Sequence, residues 1–313
     1  MGKEDIEEDI LDNLTADQLV RFADEKFADI VKNGEYKRIV DNMAKLEYSV
    51  RNAVLVMLQN DNISQVKSMS GCNFNGRAVV KGSQGIKIVA PVFSAENKNT
   101  GYKISYVFDK SQTKQSASDK KAKQFKCDKQ FIITHFEKIK EIIAKCADGY
   151  EFSSDAKPFE YDTTKKLFVD YSLEPNEVIA TMISSIAEMK AGVEKPEPSD
   201  EKKGLFKVDD SHSNNLMTAS VIAYMACNQL GIGEGVDLYV PGNFNEYTDD
   251  DMKKLAKNLN YAKAIARSMV SQVEGYGLQL INNEKNLDND FKLKQDRNIR
   301  NSYIPQKQHE QVM

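Results

Sequence analysis

The chain has no tryptophan, three histidines, four cysteines and seven prolines in 313 residues. Each scarcity removes a class of function. His135, His212 and His309 lie too far apart for any two to share a helix face, which argues against a histidine-rich metal site. Cys72, Cys127, Cys146 and Cys227 make no CxxC pair, so a zinc ribbon or a thioredoxin-type motif is absent and reduced thiols are expected. No apolar run approaches the roughly 18 to 20 residues that a membrane span needs, so no membrane partner is expected. The opening MGKEDIEEDILDNL is acidic and lacks an apolar core, so it does not read as a secretory signal. Ile6 breaks the myristoylation pattern, and a cytoplasmic location is expected.

What the chain does have is charge. Hydrophobic residues make up 41% and charged residues 29%, the composition of a soluble globular protein long enough for two domains. The net charge of −4 conceals an asymmetry. Residues 1–47 hold thirteen acidic and seven basic side chains, whereas residues 62–130 hold thirteen basic and four acidic ones, net +9. A basic block of domain size inside an acidic chain is the electrostatic footprint of a polyanion partner, although a lysine-rich solvated face has the same composition.

Periodicity predicts helices first. Thr15 and Gln18 form a capping box before Leu19, Phe22, Phe27, Ile30 and Val31, and a second helix is expected over 36–59, ended by Asn60-Asp61-Asn62. Glycines 71, 76, 82 and 85 then punctuate strands expected at 77–80 and 86–89, with a third at 102–108. Residues 110–126 read as a polar loop and 129–146 as a helix. In the second half a strand is expected at 166–171, and Glu174-Pro175 opens a helix through IATMISSIAEMKAG. Helices follow at 213–230, stopped by Gly231, and from Asp249 onward. From Asn282 the chain is polar and is expected to be extended or ordered by a partner.

Three segments resemble the N-terminal domain of ArdC-type antirestriction proteins: YSVRNAVLVMLQ (48–59), GRAVVKGSQGIKIVAP (76–91) and VFDKSQT (107–113), in that order. The resemblance implies a single-stranded-DNA-binding domain carried by plasmids, integrative elements or phages. The candidate DNA-binding residues are Arg51, Asn52, Phe74, Arg77, Lys81, Lys87, Tyr102, Tyr106 and Gln112. Lys81 beside Gly82 and Gly85 suits a phosphate, arginines supply forked donors, and aromatic rings supply stacking faces. The family commonly has a tryptophan near Phe74, which would here replace its stacking face.

The second half resembles the same family. There a helix of the type T-L-x-H-E-I-A-H and a later E-A-E-S-V-A-Y-x-x-C helix carry a zinc peptidase site. In this chain Ser184 and Glu188 stand at the two histidine positions and Ser185 at the catalytic glutamate position. Thr218 and Ser220 stand at the later carboxylates, while Ala223, Tyr224 and Cys227 match. Neutral serine hydroxyls are poor zinc ligands, and Ser185 cannot act as a general base without an activating partner. A serine nucleophile would need a nearby base, and Lys190 sits on a different helical face from Ser184. No catalytic residue, metal or cofactor is therefore expected, and the domain reads as a pseudo-peptidase.

The expected fold is α+β: N-terminal helices and a small curved antiparallel sheet, then a mainly helical degenerate zincin-like domain. The expected domains are 1–147 and 148–280, with a polar tail over 281–313. The expected function is binding and escort of single-stranded DNA by a mobile element or phage, with a protein partner for the second domain or tail. The competing expectation is a structural or interaction protein that keeps the folds and has lost both activities.

Overall fold

The computed structural model describes residues 11, 13–46, 48–60, 62–63, 65–96, 98–115, 125–157, 161–193, 210–240 and 244–302. Helix α1 (Ala16–Lys32) begins as its sequence dictates: the Gln18 amide N–H donates to Thr15 Oγ1, and the Thr15 N–H donates to Gln18 Oε1. The single helix expected over 36–59 is two, α2 (Tyr36–Leu46) and α3 (Val50–Gln59). Ser49 stands in an extended conformation between them, and its side chain makes no cap bond. The Val50 N–H donates instead to Asn260 Oδ1 of the last helix, 3.0 Å away, so the new N-terminus is capped from 210 residues downstream.

Five short strands follow. Strands β1 (Val66–Ser68), β3 (Ile86–Phe93) and β4 (Asn99–Asp109) form an antiparallel sheet in the order β1-β4-β3. Strand β2 (Arg77–Val79) pairs separately with β5 (Thr113–Gln115), and the short helix α4 (Met69–Phe74) links β1 to β2. The loop expected at 110–126 opens instead with a 3-10 turn and β5, and its residues 116–124 lie outside the described residues.

The helix expected over 129–146 breaks at His135 into α5 (Lys129–Thr134) and α6 (Phe136–Ala144). Strands β6 (Glu151–Ser153) and β7 (Lys166–Phe168) pair in parallel around the one-turn helix α7 (Tyr161–Thr164). Helix α8 (Pro175–Ala191) has proline in its first turn, a Glu174/Glu177 capping box and a left-handed Gly192 at its end. Helix α9 (Asp210–Gln229) ends before Gly231, where a Cβ would lie 3.0 Å from Asp128 Cα, so the glycine is required by both φ and close approach. Helix α10 (Asp249–Ser302) continues through the stretch expected to be extended from Asn282.

The largest core cluster crosses the boundary expected at 147. It joins Phe27, Tyr36, Met43 and Val54 to Ile139, Ile183, Ile186, Ile222, Met225, Leu255 and Met269. Two satellite clusters sit at the sheet, one around Val56, Ile86, Ile88 and Val107, the other around Leu19, Leu55 and Val89. Val54, Leu55 and Val56 thus enter three different clusters, so α3 is buried on three sides and fixes the sheet against the helices. The class is α+β, as expected.

Candidate nucleic-acid face and helix-pair cavity

Strand β3 is an edge strand, with outward N–H and C=O groups that need partners. Helix α3 supplies them. Asn52 Nδ2 donates to Val89 O at 2.9 Å, and the Val89 N–H donates to Asn52 Oδ1 at 3.0 Å. Seven residues on, Gln59 Nε2 donates to Lys87 O, and the Lys87 N–H donates to Gln59 Oε1, both at 2.8 Å. The two amides act as the missing neighbour strand. Arg51 makes a forked pair with Asp24 of α1 at 2.7 and 2.8 Å, and its Nη1 donates to the Tyr102 hydroxyl at 3.0 Å.

The VFDKSQT segment is equally committed. Asp109 accepts from the Ser111 N–H at 2.8 Å and the Gln65 N–H at 3.0 Å. Gln112 accepts from the Asp109 N–H and donates to Gln84 O. Arg77 donates from Nε to Thr113 Oγ1 at 2.6 Å and from Nη2 to Thr113 O at 2.8 Å. Lys87 is 5% exposed, and its ammonium donates to Leu11 O at 2.8 Å.

Six of the nine candidate DNA contacts (Arg51, Asn52, Arg77, Lys87, Tyr102 and Gln112) are therefore engaged inside the fold. Three face solvent. Phe74 is 78% and Tyr106 50% exposed, and Lys81 is exposed in the turn where Gly82 adopts φ +89°. Tyr106 lies opposite Lys87 on β4, and a Cβ on Gly85 would sit 3.1 Å from Tyr106 Cβ and 3.2 Å from Phe108 Cζ. The chain therefore enters β3 flush against these two side chains because Gly85 has none. Lys67 on β1 lies opposite Phe108, on the same sheet face as Tyr106. Lys67 was not among the sequence candidates, and β1 has only three residues to signal it.

In the second half, helical spacing sends adjacent residues of α8 to different surroundings. Ser185 is buried, and its Oγ donates to Phe168 O of β7 at 2.6 Å. Ser184 and Glu188, one turn apart, face a cavity of ≈ 580 Å³ between α8, α9 and residues 232–239. Ser220 reaches the same cavity, whereas Thr218 is buried and donates to Asn214 O of its own helix. Burial alone pushes the Glu188 carboxyl above the ordinary glutamate value.

These residues do not fit a peptidase zinc. Both serine hydroxyls are spent on backbone carbonyls, Ser184 on Ala180 O at 3.0 Å, and one carboxylate is too few strong ligands. Among the described residues no group of three or more His, Cys, Asp and Glu is placed to hold a metal ion. Lys190 is ion-paired with Asp148. Cys127 and Cys227 are buried, and burial holds their thiols up at about 12, in the unreactive neutral form. No helix among the described residues is long and apolar enough to cross a membrane.

The class defined by these elements is an α+β protein that joins a small antiparallel sheet to a packed helix pair. Among solved structures, the metal-free antirestriction protein ArdC from plasmid R388 is similar, with TM-score 0.43 and 13% identity over 80% of this chain and 97% of that one. Its Mn(II)-bound form gives TM-score 0.44 and 14% identity over 82% and 97%. No protein-family model and no curated protein matches the chain.

Proposed function

We propose that the chain binds single-stranded DNA with little sequence preference, in an antirestriction-like role for a mobile element or phage. The observation that carries this reading is the sheet face where Tyr106 stands half-exposed beside Gly85, in a block of net charge +9. A base stacks on Tyr106 or Phe74 through its π-face, which every base has, while Lys67 and Lys81 meet phosphates. The proposed partner is the strand itself, and coating it would shield it in the cytoplasm. The second half is proposed to be a peptidase-like scaffold without zinc chemistry.

The test is a titration of a labelled single-stranded oligonucleotide at two salt concentrations. Binding should weaken steeply with salt as counterion release diminishes. Tyr106→Ala and Phe74→Ala should each weaken it by about fivefold or more, because stacking contributes about 1–3 kcal/mol per base, with the melting temperature unchanged. Absence of binding at low salt would overturn the reading. It would favour the alternative of a structural or interaction protein, which has its own support: Arg51, Asn52, Arg77 and Gln112 serve the fold whether or not DNA binds.

A further inference from the structure

We propose that the cavity between α8 and α9 binds an organic cation, an ammonium or guanidinium group on an aliphatic stem. Its lining includes Glu188 and the exposed Glu177, Glu234 and Asp237, of which Glu177 also accepts from the Glu174 N–H in the capping box, and no lysine, arginine or histidine. Leu216, Ala219, Ala223 and Ile232 add apolar surface for a stem.

The serine and threonine hydroxyls of the cavity are already spent. Thr181 Oγ1 donates to Glu177 O at 3.0 Å and Ser184 Oγ to Ala180 O at 3.0 Å. Ser220 Oγ donates to Asp237 O at 3.4 Å and accepts from the Tyr239 N–H at 2.5 Å, which ties the 237–239 segment to α9. Glu188 is half-buried, and among the described residues its carboxylate has neither a hydrogen bond nor an ion pair. An unpaired carboxylate in such a place is unfavourable until a donor arrives, and a cation is the donor that the negative charge of Glu234 and Asp237 on the same cavity would attract. A metal ion demands several strong ligands at once, whereas an alkylammonium or guanidinium group is satisfied by one carboxylate and an apolar wall.

The cation has two sources: a free polyamine, or a lysine or arginine side chain of a protein partner. The proposal does not rest on DNA binding, and its test contains no nucleic acid. The full chain is titrated calorimetrically with spermidine, with N-acetyl-lysine methylamide and with the neutral N-acetyl-norleucine methylamide. At least one cationic probe should bind while the norleucine compound gives no heat. Glu188→Gln should weaken that binding at least tenfold. Ser184→Leu, which fills the cavity and keeps the carboxylate, should abolish it, with circular dichroism verifying both folds. Tighter binding of spermidine assigns the site to a free polyamine, and tighter binding of blocked lysine to a partner's side chain. Failure of both cations to bind, equal binding of norleucine, or unchanged affinity in both variants would overturn the proposal.

Discussion

The junction of α3 with β3 and the cavity between α8 and α9 are both polar sites inside largely apolar surroundings, and the chain treats them in opposite ways. At the junction the donors and acceptors meet within the fold: Asn52 with Val89, Gln59 with Lys87, Arg51 with Asp24. In the cavity Glu188 has no such partner among the described residues, and its hydroxyl neighbours turn to backbone carbonyls instead. A closed polar network specifies one arrangement of the fold, whereas an open one specifies something that must come from outside. The segments that resemble the ArdC family are thus, residue by residue, largely joints of the scaffold.

Breaking the closed network should have the largest effect. Asn52→Ala leaves the Val89 N–H and C=O without partners, at about 1–3 kcal/mol for each buried group, and should lower the melting temperature by roughly 5–10 °C. The same change at an open position should do far less, and adjacent residues of α8 make the contrast. Ser185→Ala removes the donor to Phe168 O and should destabilise by about 1–2 kcal/mol. Ser184→Ala removes only a bond to its own helix and should stay within about 0.5 kcal/mol of the parent. Urea melts of the three variants check the order, and an equal loss at Ser184 and Ser185 would break the comparison.

Local chemistry was legible in the sequence. The Thr15/Gln18 box, the Glu174-Pro175 start and the Gly192 and Gly231 stops each follow from residues within one turn of the helix end. The break at Tyr48-Ser49 was not, because the apolar stripe runs straight through it and the capping group, Asn260, is distant. Strands β1 and β5 have three residues each, too few for a period to register. A signal for Asn52 did exist: in VRNAVLVMLQ it is a polar residue in a helix apolar on nearly every side, and such a residue is buried and needs an internal partner. Its place in the segment that resembles the ArdC family led instead to DNA. The cavity was illegible, since its second wall comes from residues 232–239, whose sequence carries no period.

The smallest effect is the most diagnostic of the open site. Glu188 has a raised carboxyl in the folded chain, so below the ordinary value of 4.5 both folded and unfolded forms are neutral and its charge contributes nothing. As pH rises past that value the unfolded chain ionises first, and the folded state loses stability relative to it. Glutamine is neutral throughout. Glu188→Gln should therefore melt about 1–3 °C higher than the parent at pH 7, and the gap should close below pH 4.5. Glu177, Glu234 and Asp237 line the same cavity in both proteins. Saturating the cavity with its cation makes an ionised Glu188 favourable, so the order of the two melting temperatures at pH 7 should reverse. If the parent instead melts higher at pH 7 without any added cation, Glu188 already has a partner and the contrast between the two regions fails.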